Sequence, residues 1–379
     1  MLQRIYIHNF RGLDNFELKL AEPSTLLVGH SGTGKSTIAK VLRLFQKIGR
    51  GINRASQLVD ASDCTLRRTE IPLSFEIQVK IAGSSYRYAL TFELPERFRE
   101  FRVAKERLDV DGKEIFRRES ATVHMSRGPS ERLVLQTSVQ FNIDWHLVAL
   151  PVIQSNASND PIAEFRRWLA RIVVLAPVPA HMKGESHEES LEPLEDGSNF
   201  ADWLTGVLAQ YPSSYNSIDQ FLKMRMTDLQ EFRNVPAGKN AKSLVVRFFS
   251  GQAFEVAFDD LSDGEKCTFL SAVVLAANAA YGPLFVFWDE PDNFLPISEV
   301  GHFVLALRQA FKDNGQLLAT SHNAETMERF SVENILHLSR ASHLEPTVIR
   351  PLSDLSTAKG RDLIRDIVSG EIGHGSQSL

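Results

Sequence analysis

Eight residues constrain this chain more than any others: Gly29-His30-Ser31-Gly32-Thr33-Gly34-Lys35-Ser36. A Gly, four free positions and Gly-Lys-Ser fit a phosphate-binding loop. The flanking residues have the pattern such a loop requires. Residues 24–28 (Ser-Thr-Leu-Leu-Val) read as a short buried strand. Residues 37–46 read as a helix opened by Thr37, with Ile38, Val41, Leu42 and Phe45 at helical spacing. Strand, glycine-rich turn and helix, in that order, let backbone N–H groups wrap a polyphosphate. Lys35 is then expected to reach the β- and γ-phosphates, and the Ser36 hydroxyl to bind Mg²⁺. A glycine-rich turn that binds nothing is the bland alternative, and the strand–turn–helix context disfavours it.

Three further stretches carry chemistry. Residues 284–288 (Leu-Phe-Val-Phe-Trp) run directly into Asp289-Glu290. A buried apolar strand that ends in two adjacent carboxylates is costly without a cation or a catalytic task. With a phosphate loop upstream, Asp289 is the expected Mg²⁺ ligand. Glu290 is then expected to orient or deprotonate a water near the γ-phosphate. One helix later, residues 316–320 form a strand that ends at Ser321-His322, where a γ-phosphate sensor would sit. Leu261-Ser262-Asp263-Gly264-Glu265-Lys266 precedes a long apolar helix; alone, Ser-Asp-Gly in that place is a helix cap.

The 379 residues suffice for two or three domains, and 43% hydrophobic with 23% charged residues is ordinary for a globular chain. A formal charge of −5 argues against a uniformly basic nucleic-acid coat. Cys64 and Cys267 cannot build a disulfide framework or a zinc cluster, so a cytoplasmic setting is expected. The N-terminus alternates like a strand. The longest apolar region, 271–288, is broken by Asn278 and Gly282-Pro283, and reads as a buried helix and strand rather than a membrane span.

In order, the pattern predicts a strand at residues 5–10 that turns at Arg11-Gly12 and pairs with residues 16–20. A polar surface loop covers 49–63, and β-rich sequence 73–140 has hairpin turns at Gly83-Ser84-Ser85 and Asp111-Gly112. A helix capped by Asp160-Pro161 precedes a strand at 172–175. An acidic, mobile loop follows at 181–198, with exposed His181 and His187. Helices are expected at 199–210 and 217–232, and strands at 244–249 and 253–258. The basic run 97–107, with Phe98 and Phe101 interleaved, offers a DNA contact or, more commonly for such runs, a solvated face.

Taken together, the phosphate loop, the Leu-Ser-x-Gly-x-Lys signature, the strand before Asp289-Glu290 and the strand before Ser321-His322 resemble an ABC-type ATPase head. Ile7-His8-Asn9-Phe10-Arg11-Gly12 resembles the first strand of the SMC, RecF and OLD-like branch, and within it the bacterial predicted AAA/ABC ATPases with a short insertion. Asp196-Gly197-Ser198-Asn199-Phe200 before a helix is similar to them as well. The resemblance implies an α/β fold: a P-loop NTPase, ABC-ATPase-like head with an antiparallel β lobe and a mostly helical insertion. The core is expected at 1–60 plus 240–379, the β lobe at 65–150 and the helical insertion at 155–235, with the P-loop strand beside the Asp289 strand. It also implies that Arg11 lies near the nucleotide phosphates, that His322 is the switch histidine, and that Ser262 and Gly264 contact the γ-phosphate held by a second protomer. Gln154 is the expected glutamine-loop ligand of Mg²⁺. Two departures stand out. Asp263 occupies the place of a transporter Gly. Glu290-Pro291-Asp292-Asn293-Phe294-Leu295-Pro296 resembles the OLD-like Glu-Pro-Glu-x-x-Leu-His-Pro run but has Pro296 at the His position.

The functional expectation is an Mg²⁺-dependent ATPase that forms a homodimer through ATP-bound heads and switches a separately encoded effector, as in phage defence, with no membrane partner. A RecF-type ATPase acting on DNA is the alternative, and a transporter subunit a weaker one. Residues 323–379 are too few for the Toprim nuclease of OLD proteins, and no Asn-Lys-x-Asp guanine reader is present.

Overall fold

The computed structural model describes residues 1–126, 139–154, 160–355 and 364. The parts of the expected β lobe and core at 127–138, 356–363 and 365–379 lie outside the described residues, as does the start of the expected insertion at 155–159. The chain divides into two compact units. The first comprises Met1–Glu22, Leu27–Ile172 and Val332–Leu379, the second Pro23–Leu26 and Val173–Ser331.

In the first unit, the alternating N-terminus forms β1 (Leu2–His8) and β2 (Phe16–Lys19), antiparallel with Ile5 opposite Leu18. β3 (Ser24–Val28), buried throughout, runs through the glycine-rich loop into α1 (Lys35–Gly49). Residues 49–63 are more structured than a surface loop. They contain α2 (Ala55–Leu58), and the Asn53 carbonyl accepts from the Val148 N–H at 2.7 Å. β4 (Leu73–Ile81), β5 (Ser84–Glu93), β6 (Arg102–Val110), β7 (Lys113–Glu119), β8 (Thr122–Met125) and β9 (Val139–Asn142) follow as an antiparallel meander. They complete an eight-stranded sheet in the order β2-β1-β4-β5-β6-β7-β8-β9. Asp111 and Gly112 both take positive φ (49° and 77°), as a two-residue hairpin turn requires. α3 (Pro161–Ala170) starts where Asp160 accepts from the Ile162 N–H at 2.8 Å. It packs on α1 so closely that a Cβ on Gly49 would lie 2.3 Å from the Ala170 nitrogen.

One ion pair sits inside this unit. Glu106 and Arg118 approach to 3.8 Å with both side chains fully buried. Glu106 accepts from the Tyr88 hydroxyl at 2.9 Å and from the N–H groups of Ala149 and Leu150 at 2.7 and 2.8 Å. Arg118 donates to the carbonyls of Ser120, Asp144 and Leu147. Burial is the largest influence on Glu106 and raises its pKa, against the opposing pull of these donors. The pair fixes the irregular segment 144–150 against the sheet.

The second unit opens with β10 (Val173–Leu175) and β11 (Glu185–Ser186), then α4 (Phe200–Gln210) and α5 (Ser214–Lys223). Residues 181–198, expected as a mobile loop, are held by specific bonds. Asp202 accepts from the His187 and Glu188 N–H groups, and Asn199 bonds both Leu194 and Glu192. His181 and His187 are exposed and face Asp196 and Glu185. The helix expected over 217–232 stops at Lys223. Its buried stripe of Ile218, Phe221 and Leu222 next needs an apolar residue at 225, and Arg225 stands there. The chain instead forms β12 (Leu229–Ala237), which pairs with β13 (Ala241–Phe249), and β13 with β14 (Ala253–Ala257).

α6 (Asp263–Tyr281) is followed by β15 (Phe285–Trp288), α7 (Ile297–Lys312), β16 (Gln316–Thr320) and α8 (Ala324–Glu328). Asn278, the polar break in the apolar run, ties these elements together. It donates to the Ala310 and Asn314 carbonyls and accepts from the Leu284 N–H. β10, β15 and β16 are parallel, with Val286 opposite both Val173 and Leu317. β16, not β15, neighbours β3 in this sheet, whose Ser24–Leu26 belong to this unit. The expected adjacency of the P-loop strand and the Asp289 strand is therefore corrected: β16 stands between them. The chain returns to the first unit with β17 (Ile335–Ser339) and β18 (Val348–Pro351), an antiparallel pair.

Removing one partner of a buried ion pair leaves an uncompensated charge, so Arg118→Met is expected to destabilise the protein by about 3–5 kcal/mol in denaturant unfolding. The double variant Arg118→Met/Glu106→Gln, which removes both charges, should recover a large part of that loss. An Arg118→Met midpoint equal to that of the parent would show that the pair contributes nothing.

Candidate nucleotide site

Two clusters hold the candidate residues, one in each unit. In the first unit β3 delivers the chain to Gly29, whose φ of 151° brings the backbone against β17. A Cβ there would lie 2.3 Å from the Leu338 carbonyl oxygen, so only glycine fits. Gly34 has φ 102° and precedes α1, whose first turn has neither a side-chain cap nor an acidic residue. The N–H groups of that turn are therefore unclaimed by side chains of their own helix, the condition for receiving an anion. At Gly32 a Cβ would meet nothing within 4 Å.

Lys35 is buried and folds back over the loop, its Nζ donating to the Gly29 carbonyl at 2.5 Å and to the His30 carbonyl at 3.3 Å. Thr33 is buried, its hydroxyl donating to the His30 carbonyl at 2.8 Å and its carbonyl accepting from Thr347 at 2.9 Å. His30, Ser31 and Ser36 are exposed, and Thr37 is half-buried. Arg11 takes a left-handed backbone (φ 55°) and pairs with Asp63, Nη2 to Oδ1 at 2.6 Å. The Lys40 ammonium on α1 has a lowered pKa, first through burial and then through the Arg11 charge, so Arg11 lies beside α1. Gln154 is exposed, four residues beyond the Leu150 N–H bound by Glu106.

In the second unit β15 is buried over its whole length and ends at Asp289. The Thr320 hydroxyl, at the end of β16, donates to Asp289 Oδ1 at 2.6 Å and accepts from the Glu290 N–H at 3.0 Å. Glu290 has φ 49°, and its carboxylate is held from two sides. Asn293 Nδ2 donates to Oε2 at 3.1 Å, and His322 Nε2 lies 3.5 Å from Oε1. A cleft of about 130 Å³ is lined by Asp289, Glu290, Asn293, Phe294, Trp288 and Cys267, among others. Burial pushes the Cys267 thiol up to about 12, which leaves it unreactive. Ser262 caps α6: its hydroxyl donates to Glu265 Oε2 at 2.6 Å, and the Glu265 N–H returns to it at 3.4 Å. A Cβ on Gly264 would stand 2.8 Å from the Phe294 carbonyl oxygen, so the residues after Glu290 rest on the start of α6.

The structure thus brings Asp289, Glu290 and His322 into one cluster, and Gly29 to Thr37 into another. Sequence reasoning missed four residues that hold or border them. Thr320 could be suspected as the last residue of the strand before Ser-His, and Asp292 as the acid two places after Glu290. Nothing local marks Asp63. His337, buried in β17 with no partner for Nε2, has its pKa lowered by burial and by the nearby His30 and Lys35 charges.

Each cluster has its own donor chemistry. In the first unit a lysine ammonium at a helix start matches the chemistry of phosphate, and in the second the Asp289 carboxylate is a hard oxygen donor of the kind that Mg²⁺ takes. Among the described residues no group of three or more His, Cys, Asp or Glu could hold a metal ion by itself, and no helix is long and apolar enough to cross a membrane.

Comparison with solved structures shows the fold. An SMC head bound to the C-winged helix domain of ScpA matches with a TM-score of 0.56 at 13% identity, over 94% of this chain and 99% of that one. The Pyrococcus furiosus SMC head with an extended coiled coil, bound to the C-terminal domain of ScpA, gives 0.53 at 11% identity, over 93% and 97%. A search of curated proteins returned no match. The likeness shows an SMC-head-like, ABC-ATPase-like α/β fold. A family model described as "AAA domain, putative AbiEii toxin, Type IV TA system" matches residues 24–328, and the chain belongs to that family of AAA/ABC-type ATPases.

Proposed function

We propose that the protein binds ATP with Mg²⁺ and hydrolyses it slowly, and that nucleotide-bound heads pair about a two-fold axis to switch a separately encoded effector. The observation that carries the hydrolytic part is the setting of Glu290. It follows Asp289 at the end of a buried strand, with one oxygen on Asn293 and the other 3.5 Å from His322. On this reading Lys35 serves the β- and γ-phosphates, assisted by Arg11. Ser36 and Asp289 hold Mg²⁺, with Gln154 as a further ligand. Glu290 takes a proton from the attacking water and His322 senses the γ-phosphate. When bound, the metal would neutralise developing phosphate charge.

The partner reading is supported by the family description, which names a toxin–antitoxin system, and by relatives whose heads bind a second protein. Two cations of the basic run are paired in place, Arg102 with Glu93 and Arg107 with Asp109, which weighs against the DNA alternative.

Lys35→Ala should lose nucleotide affinity, while Glu290→Gln should bind ATP normally and turn over about 10²–10⁴-fold more slowly, the usual worth of a general base. Binding by a fluorescent nucleotide and phosphate release check the two separately. Full turnover in Glu290→Gln would remove the assigned base.

Pairing predicts that Glu290→Gln protein with saturating ATP-Mg²⁺ doubles its mass in light scattering, and that Ser262→Arg abolishes the doubling. Mixing Lys35→Ala with Ser262→Arg protein should restore some turnover, because both lesions then fall in one of two shared sites. A Glu290→Gln protein that stays monomeric would leave Ser262 a plain helix cap.

A further inference from the structure

Asp292 has no place in the mechanism above, yet it is the most deeply buried carboxylate of the second cluster, 7% exposed. Both of its side-chain bonds fall on one oxygen. Oδ2 accepts from the Ser321 hydroxyl at 2.6 Å and from the Thr326 hydroxyl at 2.5 Å. Ser321 and Thr326 are themselves almost fully buried. The Ser321 oxygen also accepts from the Asn323 N–H at 2.9 Å, and Asn323 caps α8 by accepting from the Glu325 N–H. Asp292 therefore grips both sides of the turn that carries His322. On its other flank, the adjacent Asn293 holds Glu290.

We propose that Asp292 is a positioning residue that ties the turn carrying Glu290 to the turn carrying His322, so that the two side chains move as one piece. The inference rests on the hydrolytic reading for its functional consequence, but the tie itself does not. Glu290 sits in a left-handed backbone conformation, which a non-glycine residue keeps only when its surroundings hold it there. Thr320 holds it through the Glu290 N–H, and Asp292 fixes Ser321, the residue that follows strand β16. Without Asp292 the two buried hydroxyls lose their acceptor, the Ser321–His322 turn is free to rotate, and His322 leaves Glu290.

The two bonds to one oxygen make the test selective. Asn at 292 can place its Oδ1 where Oδ2 stands and accept both hydroxyls, whereas Ala cannot. Asp292→Ala is expected to lower kcat at least about tenfold while nucleotide affinity stays within about threefold, the split expected of an interaction needed only in the transition state. Asp292→Asn should keep the parent kcat. The second readout is the ring resonance of His322 in nucleotide-free protein at fixed pH, assigned through His322→Gln. It should move in Asp292→Ala and in the double variant Ser321→Ala/Thr326→Val, and stay in place in Asp292→Asn. If Asp292→Ala does not fold, the double variant carries the same test. An unmoved His322 resonance in the double variant, or folded Asn protein as impaired as a folded Ala protein, overturns the proposal. Should Glu290→Gln keep full turnover, the hydrolytic reading fails, and the His322 resonance still judges the tie.

Discussion

A carboxylate at the end of a fully buried strand must find a donor, and in this protein Thr320 is that donor for Asp289. The requirement reaches into the topology. Trp288 pairs with Ala319 across β15 and β16, so the next residue on each strand is Asp289 and Thr320. Only a parallel neighbour in this register puts a hydroxyl, then Ser321, then His322 beside the Asp289–Asp292 turn. The insertion of β16 next to β15 is thus what assembles the acidic cluster. A charge-assisted bond of this kind contributes about 1.5–3 kcal/mol, and leaving the carboxylate unmet would cost more.

The first unit answers a different constraint. Its loop must expose backbone N–H groups at a helix start while burying a lysine. Gly29 lets the backbone turn against the Leu338 carbonyl, and the carbonyls of Gly29 and His30 satisfy the Lys35 ammonium. These acceptors are neutral. An anionic phosphate oxygen adds the attraction of opposite charges to the hydrogen bond, so a bound polyphosphate would compete with them for the same ammonium.

The parts of this molecule that were legible in its sequence are those whose signal is local. Strand, Gly-rich loop and helix follow one another within residues 24–49. The apolar run into Asp289-Glu290 and the strand into Ser321-His322 are likewise continuous. What was illegible depends on strand order or on the far side of a turn. Nothing in residues 284–288 says that β16, rather than β3, lies alongside. The Ser321 and Thr326 hydroxyls are about thirty residues from Asp292, so Asp292 read only as one position in a run that resembles a known pattern. Glu106 lay between these cases. Its two-residue spacing from Leu108 puts both on one face of β6, and a buried Leu108 implies a buried charge. That alternation could have revealed the ion pair, though not Arg118 as its partner.

Ser262 shows how a cap and a ligand site compete for one hydroxyl. Its oxygen is engaged twice by Glu265, as donor to the carboxylate and as acceptor from the N–H. A phosphate arriving at this helix start would have to displace the Glu265 carboxylate, because two anions cannot share the donor without repulsion. The exposed cap is worth about 1 kcal/mol, which a charge-assisted bond to phosphate at a helix N-terminus matches or exceeds. The capping box is therefore a weak lock. It holds the start of α6 in order, and would yield to a phosphate by release of Glu265 into solvent. Gly264 cannot yield in the same way. The Phe294 carbonyl stands 2.8 Å from where its Cβ would be, which binds the loop after Glu290 to the start of α6.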